Sequence, residues 1–154
     1  MLQNNLLSPL NFGLKISKTP NVDYLVQQIS VPGLELGTAA TPSPFVPIPQ
    51  PGNLSYGELR VTFKVGEDLS SYLEIFNWMV DLGHPDSLQQ YKPDVCDGSV
   101  LILSSAKRPI ISVDFTDMYP TSLTSLDFDA TMTDVQYMTV DASFKFTRFY
   151  YNFI

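Results

Sequence analysis

The chain has 154 residues, of which 44% are hydrophobic and 16% are charged, and its formal net charge is −7. The length fits one domain, 1–154, with an appendage, and a charged fraction below the usual quarter or so of a soluble domain is expected where much of the surface faces partners. The acidic balance without a basic cluster argues against wrapping nucleic acid, the single cysteine (Cys96) excludes an internal disulfide framework, and no apolar run approaches the roughly 20 residues of a membrane span.

The first predicted element is a half-buried strand in the segment LNFGLKIS. Apolar and polar residues alternate along it, which is typical of a strand with one face on a core. The apolar positions are Leu10, Phe12, Leu14 and Ile16. A weaker strand is predicted next, in the segment YLVQQISV.

The next segment, residues 38–56, is predicted to be an extended arm because five prolines crowd into it. Proline fixes φ and removes a backbone donor, so the arm can be neither a helix nor a central strand. The prolines are Pro42, Pro44, Pro47, Pro49 and Pro51. The arm also carries more apolar side chains than a solvated linker needs: Phe45, Val46, Ile48, Leu54 and Tyr56. We expect these five residues to contact another subunit.

After the arm, a strong strand and one helix are predicted. In ELRVTFKV, the residues Leu59, Val61, Phe63 and Val65 form the apolar face of a strand. From Glu67 to Leu82, apolar residues recur at helical spacing, at Leu69, Tyr72, Leu73, Phe76, Met79 and Val80. The stripe predicts that Leu73 and Phe76 lie in the core. Ile75, Trp78 and Leu82 widen it, so we expect the helix to close one side of the sheet and to be covered on more than one side.

The C-terminal half is predicted to complete an antiparallel sheet. The strands SVLILSS and PIISVDF are joined at the corner of Lys107, Arg108 and Pro109, and a last strand has Val140, Ala142, Phe144 and Phe146 on one face. The aromatic tail RFYYNFI is expected in a core or an interface. The predicted fold class is therefore mainly β (α+β): a barrel-like antiparallel sheet with one flanking helix and the proline-rich arm.

Residues whose side chains could take part in catalysis or bind a metal are scattered along the sequence, and we predict no catalytic, cofactor-binding or metal site. His84, the only histidine, is interpreted as a helix-end loop residue. Cys96 lies between acidic residues that disfavour a thiolate. Asp94, Asp97 and Gly98 only faintly match a calcium loop, because alternating ligands and a closing glutamate are missing. Asp127 and Asp129 are predicted to share the solvated face of a strand.

The order of these segments resembles the tail tube proteins of contractile-tail bacteriophages and their tube-fold relatives. The most specific match is a (W or Y)-P-T-x-(L or V) turn, found here in Tyr119 to Leu123. In the family a short apolar strand with aspartates follows, here Leu126 to Phe128, and then a long alternating strand, here Val140 to Phe146. The proline content of the arm and the tail after the last strand depart from that pattern.

The resemblance implies a virion protein, made in the host cytoplasm, whose sixfold rings stack into a tube around passing double-stranded DNA. Tail sheath and baseplate proteins are the implied further partners. Candidate lumen-facing residues lie on the polar faces of the strands: Lys15, Arg60, Lys64 and Lys145. Three alternatives stay open: a specialised ring at the baseplate or head end (tube initiator, hub or terminator), a monomeric small-ligand-binding β-barrel, and a hydrolase built on His84 and a serine.

Overall fold

The computed structural model describes residues 5–84 and 95–154, and about half of them form antiparallel strands. The elements in chain order are β1 (Phe12–Ile16), α1 (Pro20–Leu25), β2 (Val26–Ser30), β3 (Leu34–Thr41), β4 (Ile48–Tyr56), β5 (Leu59–Lys64), α2 (Ser70–Gly83), β6 (Cys96–Leu103), β7 (Pro109–Leu123), β8 (Thr139–Lys145) and β9 (Arg148–Phe153). The predicted fold class, mainly β with a flanking helix and an extended arm, is confirmed, except that the described residues contain a second helix.

Seven strands form one sheet, in the order β1-β6-β7-β8-β5-β2, with β9 paired to β7. The long strand β7 serves two partners along one edge, because Ile111–Thr116 pairs with β9 and Tyr119–Leu123 pairs with β8. Between these halves Asp117 has a φ of 54°, the backbone kink of a bulge. Since β1 and β2 end the order, the sheet of described residues is open and does not close into a barrel.

The core lies on one face of this sheet, as the alternations predicted. Val61, Phe63, Ala142 and Phe144 are fully buried, while Arg60, which precedes Val61 in β5, is exposed. Burying a side chain of this kind stabilises the fold by about 1.5 to 3 kcal/mol. Both helices cover the face: Val22 of α1 and Ile75 and Trp78 of α2 are buried against it.

Helix α2 turns a different face to the core than predicted. Ser71, Ile75 and Trp78 are buried, whereas Leu73 is 41% and Phe76 is 45% exposed. The placement of Leu73 and Phe76 in the core is therefore wrong. The helix carries two apolar stripes that are displaced from each other by about one residue. Ser71 lies on the buried face, where its hydroxyl donates a hydrogen bond to the Lys64 carbonyl at 3.2 Å.

The start of α2 also differs from the prediction of Glu67. Leu69 has a φ of 58°, which stops a helix from extending further back. Asp68 compensates for the missing cap, since its Oδ1 accepts the Ser70 N–H at 3.2 Å. The end agrees with the predicted stop signal, because α2 finishes at Gly83.

One weak strand prediction is confirmed over most of its length, and three other predictions are corrected. The segment YLVQQISV forms a strand over most of its length, because β2 covers Val26–Ser30. Its first two residues instead end α1, which runs through Leu25 and has Pro20 in its first turn. Tyr119–Leu123 is not a turn but the end of β7, where its pairing with β8 shifts register between Pro120 and Ser122. Residues 126–128 lie in an irregular loop and not in a strand. Leu10, predicted to face the core, is 83% exposed ahead of β1.

Candidate assembly surfaces

The arm is a β-hairpin that leaves the main sheet. Among the described residues, strands β3 and β4 pair only with each other, antiparallel, from Leu34 opposite Tyr56 to Thr41 opposite Ile48. The predicted extended conformation is present, but the hairpin starts at Leu34 and not at Thr38. Every residue of β3, and every residue of β4 up to Ser55, is exposed.

The apolar residues predicted to contact another subunit fall into two groups. Phe45 and Val46 lie at the tip and are 95% and 67% exposed, and Ile48 and Leu54 are about half exposed along β4. Tyr56 instead belongs to the folded domain. Its ring lies 5.9 Å from that of Phe146 and 5.4 Å from that of Phe149, both edge-on, so it anchors the base of the arm. The other four stay candidate interface residues.

A pair of glycines lies across the middle of the hairpin. The register shifts between Leu36 and Thr38, and the two strands come so close that a Cβ on Gly52 would lie 2.9 Å from the Gly37 carbonyl oxygen. Only glycine fits such an approach. The bulge therefore divides the arm into a base next to the sheet and a tip that carries the prolines.

The four predicted lumen-facing cations lie on the polar face of the main sheet, opposite the core. Lys15 flanks buried Leu14 and Ile16, Arg60 and Lys64 belong to β5, and Lys145 follows buried Phe144 in β8. Their exposure to a lumen remains a prediction. The face also carries Asp114 and Asp141 on neighbouring strands, so its charge is mixed in sign.

Asp114 is held in place by three side-chain donors. It accepts hydrogen bonds from the hydroxyls of Ser112 at 2.6 Å and Ser99 at 2.8 Å, and from the Asn152 amide. These bonds, the one from Ser112 foremost, lower the pKa of Asp114. One row across β6, β7 and β9 is therefore tied together on the polar face.

The outer stripe of α2 is a second exposed apolar surface. Leu73, Phe76 and Val80 are each 40 to 45% exposed, and the ring of Phe76 stacks on that of Tyr72 with centroids 6.4 Å apart. Within the described residues these three side chains therefore keep a large share of their surface in solvent. The expectation that α2 is covered on more than one side therefore remains a prediction about a partner.

The residues considered for chemistry lie on different elements of the described chain. His84 is exposed and follows α2, with its N–H donating to the Val80 carbonyl at 2.7 Å, and Cys96 begins β6. Asp94 lies outside the described residues. The prediction that Asp127 and Asp129 share a strand face is wrong, because both lie in the loop before β8. The described residues contain no group of three or more histidine, cysteine, aspartate or glutamate side chains that could hold a metal ion.

A buried carboxyl group, not identified from the sequence, lies at the corner between β1 and α1. Asp23 Oδ2 accepts the Ile16 N–H at 2.8 Å, while Oδ1 and the buried Thr19 hydroxyl have no hydrogen-bond partner among the described residues. Burial, partly offset by the Ile16 hydrogen bond, raises the pKa of Asp23 to about 6. The group joins a strand end to a helix, which is a structural role. None of the described helices is long and apolar enough to cross a membrane.

Comparison with solved structures identifies the fold. A chain in the cryo-EM structure of the anti-feeding prophage cap, the tube-terminating cap, matches with a TM-score of 0.74 and 15% identity, over 100% of this chain and 95% of that one. A chain in the sheath-tube complex of the PVC extracellular contractile injection system, in its extended state, matches with a TM-score of 0.70 and 14% identity, over 98% and 94%.

A third solved structure also matches. Hcp1 from Flavobacterium johnsoniae has a TM-score of 0.56 and 17% identity, over 91% of this chain and 93% of its own. No family model and no curated protein sequence matches the chain. The structural matches span nearly the whole molecule, so the tail tube fold inferred from the sequence is confirmed.

Proposed function

We propose that this tube-fold chain is a structural subunit of a contractile tail, and that its rings stack into the tail tube. The observation that carries the proposal is the fold match over the full length to chains of tube and cap assemblies. The exposed hairpin arm supports it. A segment with Phe45 95% exposed gains by burial against a neighbour, since apolar area removed from water contributes about 25 cal/mol per Å².

The proposed assembly is a hexameric ring. One matching chain, with a TM-score of 0.72, belongs to the anti-feeding prophage baseplate in its 6-fold symmetrised structure. That match and the cap also support an alternative position, a specialised ring at the baseplate or head end that acts as tube initiator, hub or terminator. A wild-type protein that forms single rings without stacking would favour this alternative.

The more specific form of the proposal is the tail of a contractile-tail phage, in which the tube is the channel for DNA ejection. The protein is then a virion component that is made in the host cytoplasm, with sheath and baseplate proteins as further partners and no membrane contact. The polar sheet face, with Lys15 and Arg60 but also Asp114 and Asp141, suits a wall that lets double-stranded DNA pass without specific binding. Assembly, not catalysis, is the proposed activity.

A monomeric ligand-binding barrel is less well supported. The apolar face of the sheet is filled by its own side chains, with Val61, Phe63 and Phe144 fully buried and both helices packed on it. A barrel that binds a small molecule would hold it in that space. The mass of the purified protein in solution separates the two hypotheses, because a dispersed monomer at high concentration contradicts the tube proposal.

Deletion of the arm tip tests the proposal. Residues 42–51 are replaced by a short Gly-Ser link, which removes the turn and most of the proline-bearing half of β4 but leaves Tyr56 in place. We expect a circular dichroism spectrum of a folded domain and no stacked tubes in electron micrographs, because the deleted residues are outside the core.

A matched control replaces residues 130–135, in the exposed loop before β8, by a Gly-Ser link of equal length. This variant is expected to fold and to form tubes like the wild type. Tubes of normal length after the arm deletion would contradict the role of the arm in stacking.

A further inference from the structure

The two prolines of β4, Pro49 and Pro51, occupy alternate positions of the strand, so both belong to the same type of cross-strand pair. In an antiparallel pair, each residue either exchanges hydrogen bonds with the residue opposite or points its N–H and C=O away from the partner strand. Pro49 lies opposite Ala40 and Pro51 opposite Thr38. Since proline has no N–H, these cannot be the hydrogen-bonded pairs. The bonds must come from the two pairs that flank Pro49, namely Gln50 with Ala39 and Ile48 with Thr41.

It follows that the two edges of the arm differ. Along the outer edge of β4, the positions of Pro49 and Pro51 offer carbonyl groups but no N–H, so a strand cannot pair there with a complete ladder. Along the outer edge of β3, Thr38 and Ala40 have both N–H and C=O directed away from β4. Within the described residues no strand pairs with that edge. The arm can accept a strand on one side only.

The small residues of β3 favour a close approach on this open side. The strand reads LELGTAAT, with glycine, threonine and alanine from Gly37 to Thr41, all exposed. A strand of this composition pairs easily with one that carries bulky side chains, because those side chains can lie over it without a clash.

We propose that the outer edge of β3 pairs with β9 of a second copy of this chain. This inference rests on the proposed function, because it requires that copies assemble. The complementary strand β9 carries exposed Tyr150, Tyr151 and Phe153. Each strand has one charged residue, Glu35 in β3 and Arg148 in β9, and their charges are opposite.

The topology makes β9 the most accessible edge of the main sheet. The described residues leave three strands with an unpaired edge, namely β1, β2 and β9. The edges of β1 and β2 face one groove of about 570 Å³, which Leu7 to Phe12 also line. Strand β9 is paired with β7 alone. The Ile154 N–H donates to the Ile110 carbonyl at 3.0 Å. Because N–H groups alternate in direction along a strand, those of the even-numbered residues of β9 point toward β7, and those of Tyr151 and Phe153 point away from it.

Single prolines at outward-facing positions test this pairing. Ala40→Pro removes an N–H from the open edge of β3 without removing a hydrogen bond inside the hairpin, and Tyr151→Pro does the same for β9. The controls are Ala40→Val and Tyr151→Ala, which change the side chain but keep the N–H. We expect both proline variants to keep the wild-type circular dichroism spectrum and to lose tubes in electron micrographs, whereas both controls form tubes.

Amide exchange in the wild-type protein gives a second readout that needs no variant. The amides of Thr38, Ala40, Tyr151 and Phe153 should exchange slowly in tubes and fast in the dissociated subunit, and the Ala39 amide should behave alike in both. Tubes formed by Ala40→Pro, or equal exchange at Thr38 and Ala40 in both states, would overturn the pairing. Loss of tubes in Ala40→Pro but not in Tyr151→Pro would overturn β9 as the partner strand. A wild type that forms no tubes would overturn the proposed function as well.

Discussion

The main sheet and the arm are both antiparallel β-structure, but they bury their apolar residues in different ways. In the sheet, Phe63 and Phe144 are fully buried within the subunit. In the arm, Phe45 is 95% exposed, and β3 is exposed along its whole length. The stability of the subunit and its tendency to assemble are therefore encoded in separate segments, and substitutions in one should leave the other property intact.

The sharpest test of this separation compares two phenylalanines. Phe144→Ala should lower the free energy of unfolding by about 3 to 5 kcal/mol, because it removes a fully buried ring and leaves a cavity. Phe45→Ala should leave the denaturant midpoint of the subunit unchanged but reduce tube formation. Equal midpoint shifts in the two variants would show that the arm is part of the folding unit.

The two faces of α2 provide a second pair. Ile75→Ala should cost about 2 to 5 kcal/mol, since Ile75 is fully buried. Phe76→Ala should cost only about 1 kcal/mol, because nearly half of its side chain is already in water. Urea unfolding of both variants measures the difference. A larger loss for Phe76 would mean that the outer stripe is covered within the subunit.

Two carboxylates on opposite sides of the sheet predict opposite pH dependence. Asp23 has a pKa raised to about 6 from 3.8, so the folded state binds more protons between these values, and the contribution of Asp23 to stability falls as pH rises through about 4 to 6. Asp23→Asn should therefore gain stability relative to the wild type from pH 4 to pH 7.

The matched variant is Asp114→Asn. The pKa of Asp114 is lowered, so its ionised form stabilises the folded state above pH 3.8 and that contribution is lost as pH falls. Relative to the wild type, Asp114→Asn should therefore be less stable above pH 3.8, and this difference should shrink as the pH falls below 3.8. The free energy of unfolding of each variant, measured relative to the wild type across this pH range, tests the comparison. A change with pH of the same sign in both variants would contradict the opposite pKa shifts of Asp23 and Asp114.

The smallest effect is expected at the rim of the polar face. Lys145 Nζ lies 3.8 Å from a Glu58 carboxylate oxygen, and both side chains are well exposed. Lys145→Ala should change the free energy of unfolding by no more than about 0.5 kcal/mol, as is usual for a surface ion pair. Thermal unfolding measures it, and a loss several times larger would show that this pair is more than a surface contact.

Periodicity in the sequence was sufficient to predict which residues of the strands are buried, but it did not predict which face of helix α2 is buried. Alternation along β5 and β8 identified Val61, Phe63 and Phe144, because a strand has only two faces. In helix α2 the apolar residues Ile75 and Phe76 are adjacent in the sequence and belong to different faces. Only the tertiary packing decides which of them faces inward. The helix α1 was missed because six residues are too short for a periodic signal.

The candidate site was predictable to a similar degree. The arm was recognised because prolines restrict the backbone locally, whatever the rest of the chain does. Tyr56 was grouped with the tip residues because nothing in the sequence indicates that it packs on Phe146 and Phe149, which lie 90 or more positions later. The role of Asp23 likewise depends on burial, which no local pattern reveals.

The strand order also determines when the subunit can fold during synthesis. Strand β5 can pair with β2 as soon as both are made, but it lacks its other neighbour until β8 is made, since Leu59 pairs with Phe144. The central strand β7 likewise lacks a neighbour until Arg148–Phe153 has been made. The arm hairpin, by contrast, joins residues close in sequence and can form on the ribosome as soon as it emerges. A nascent chain therefore displays its arm before it has a domain. The proline-blocked edge of β4 then limits contacts between neighbouring chains on one polysome.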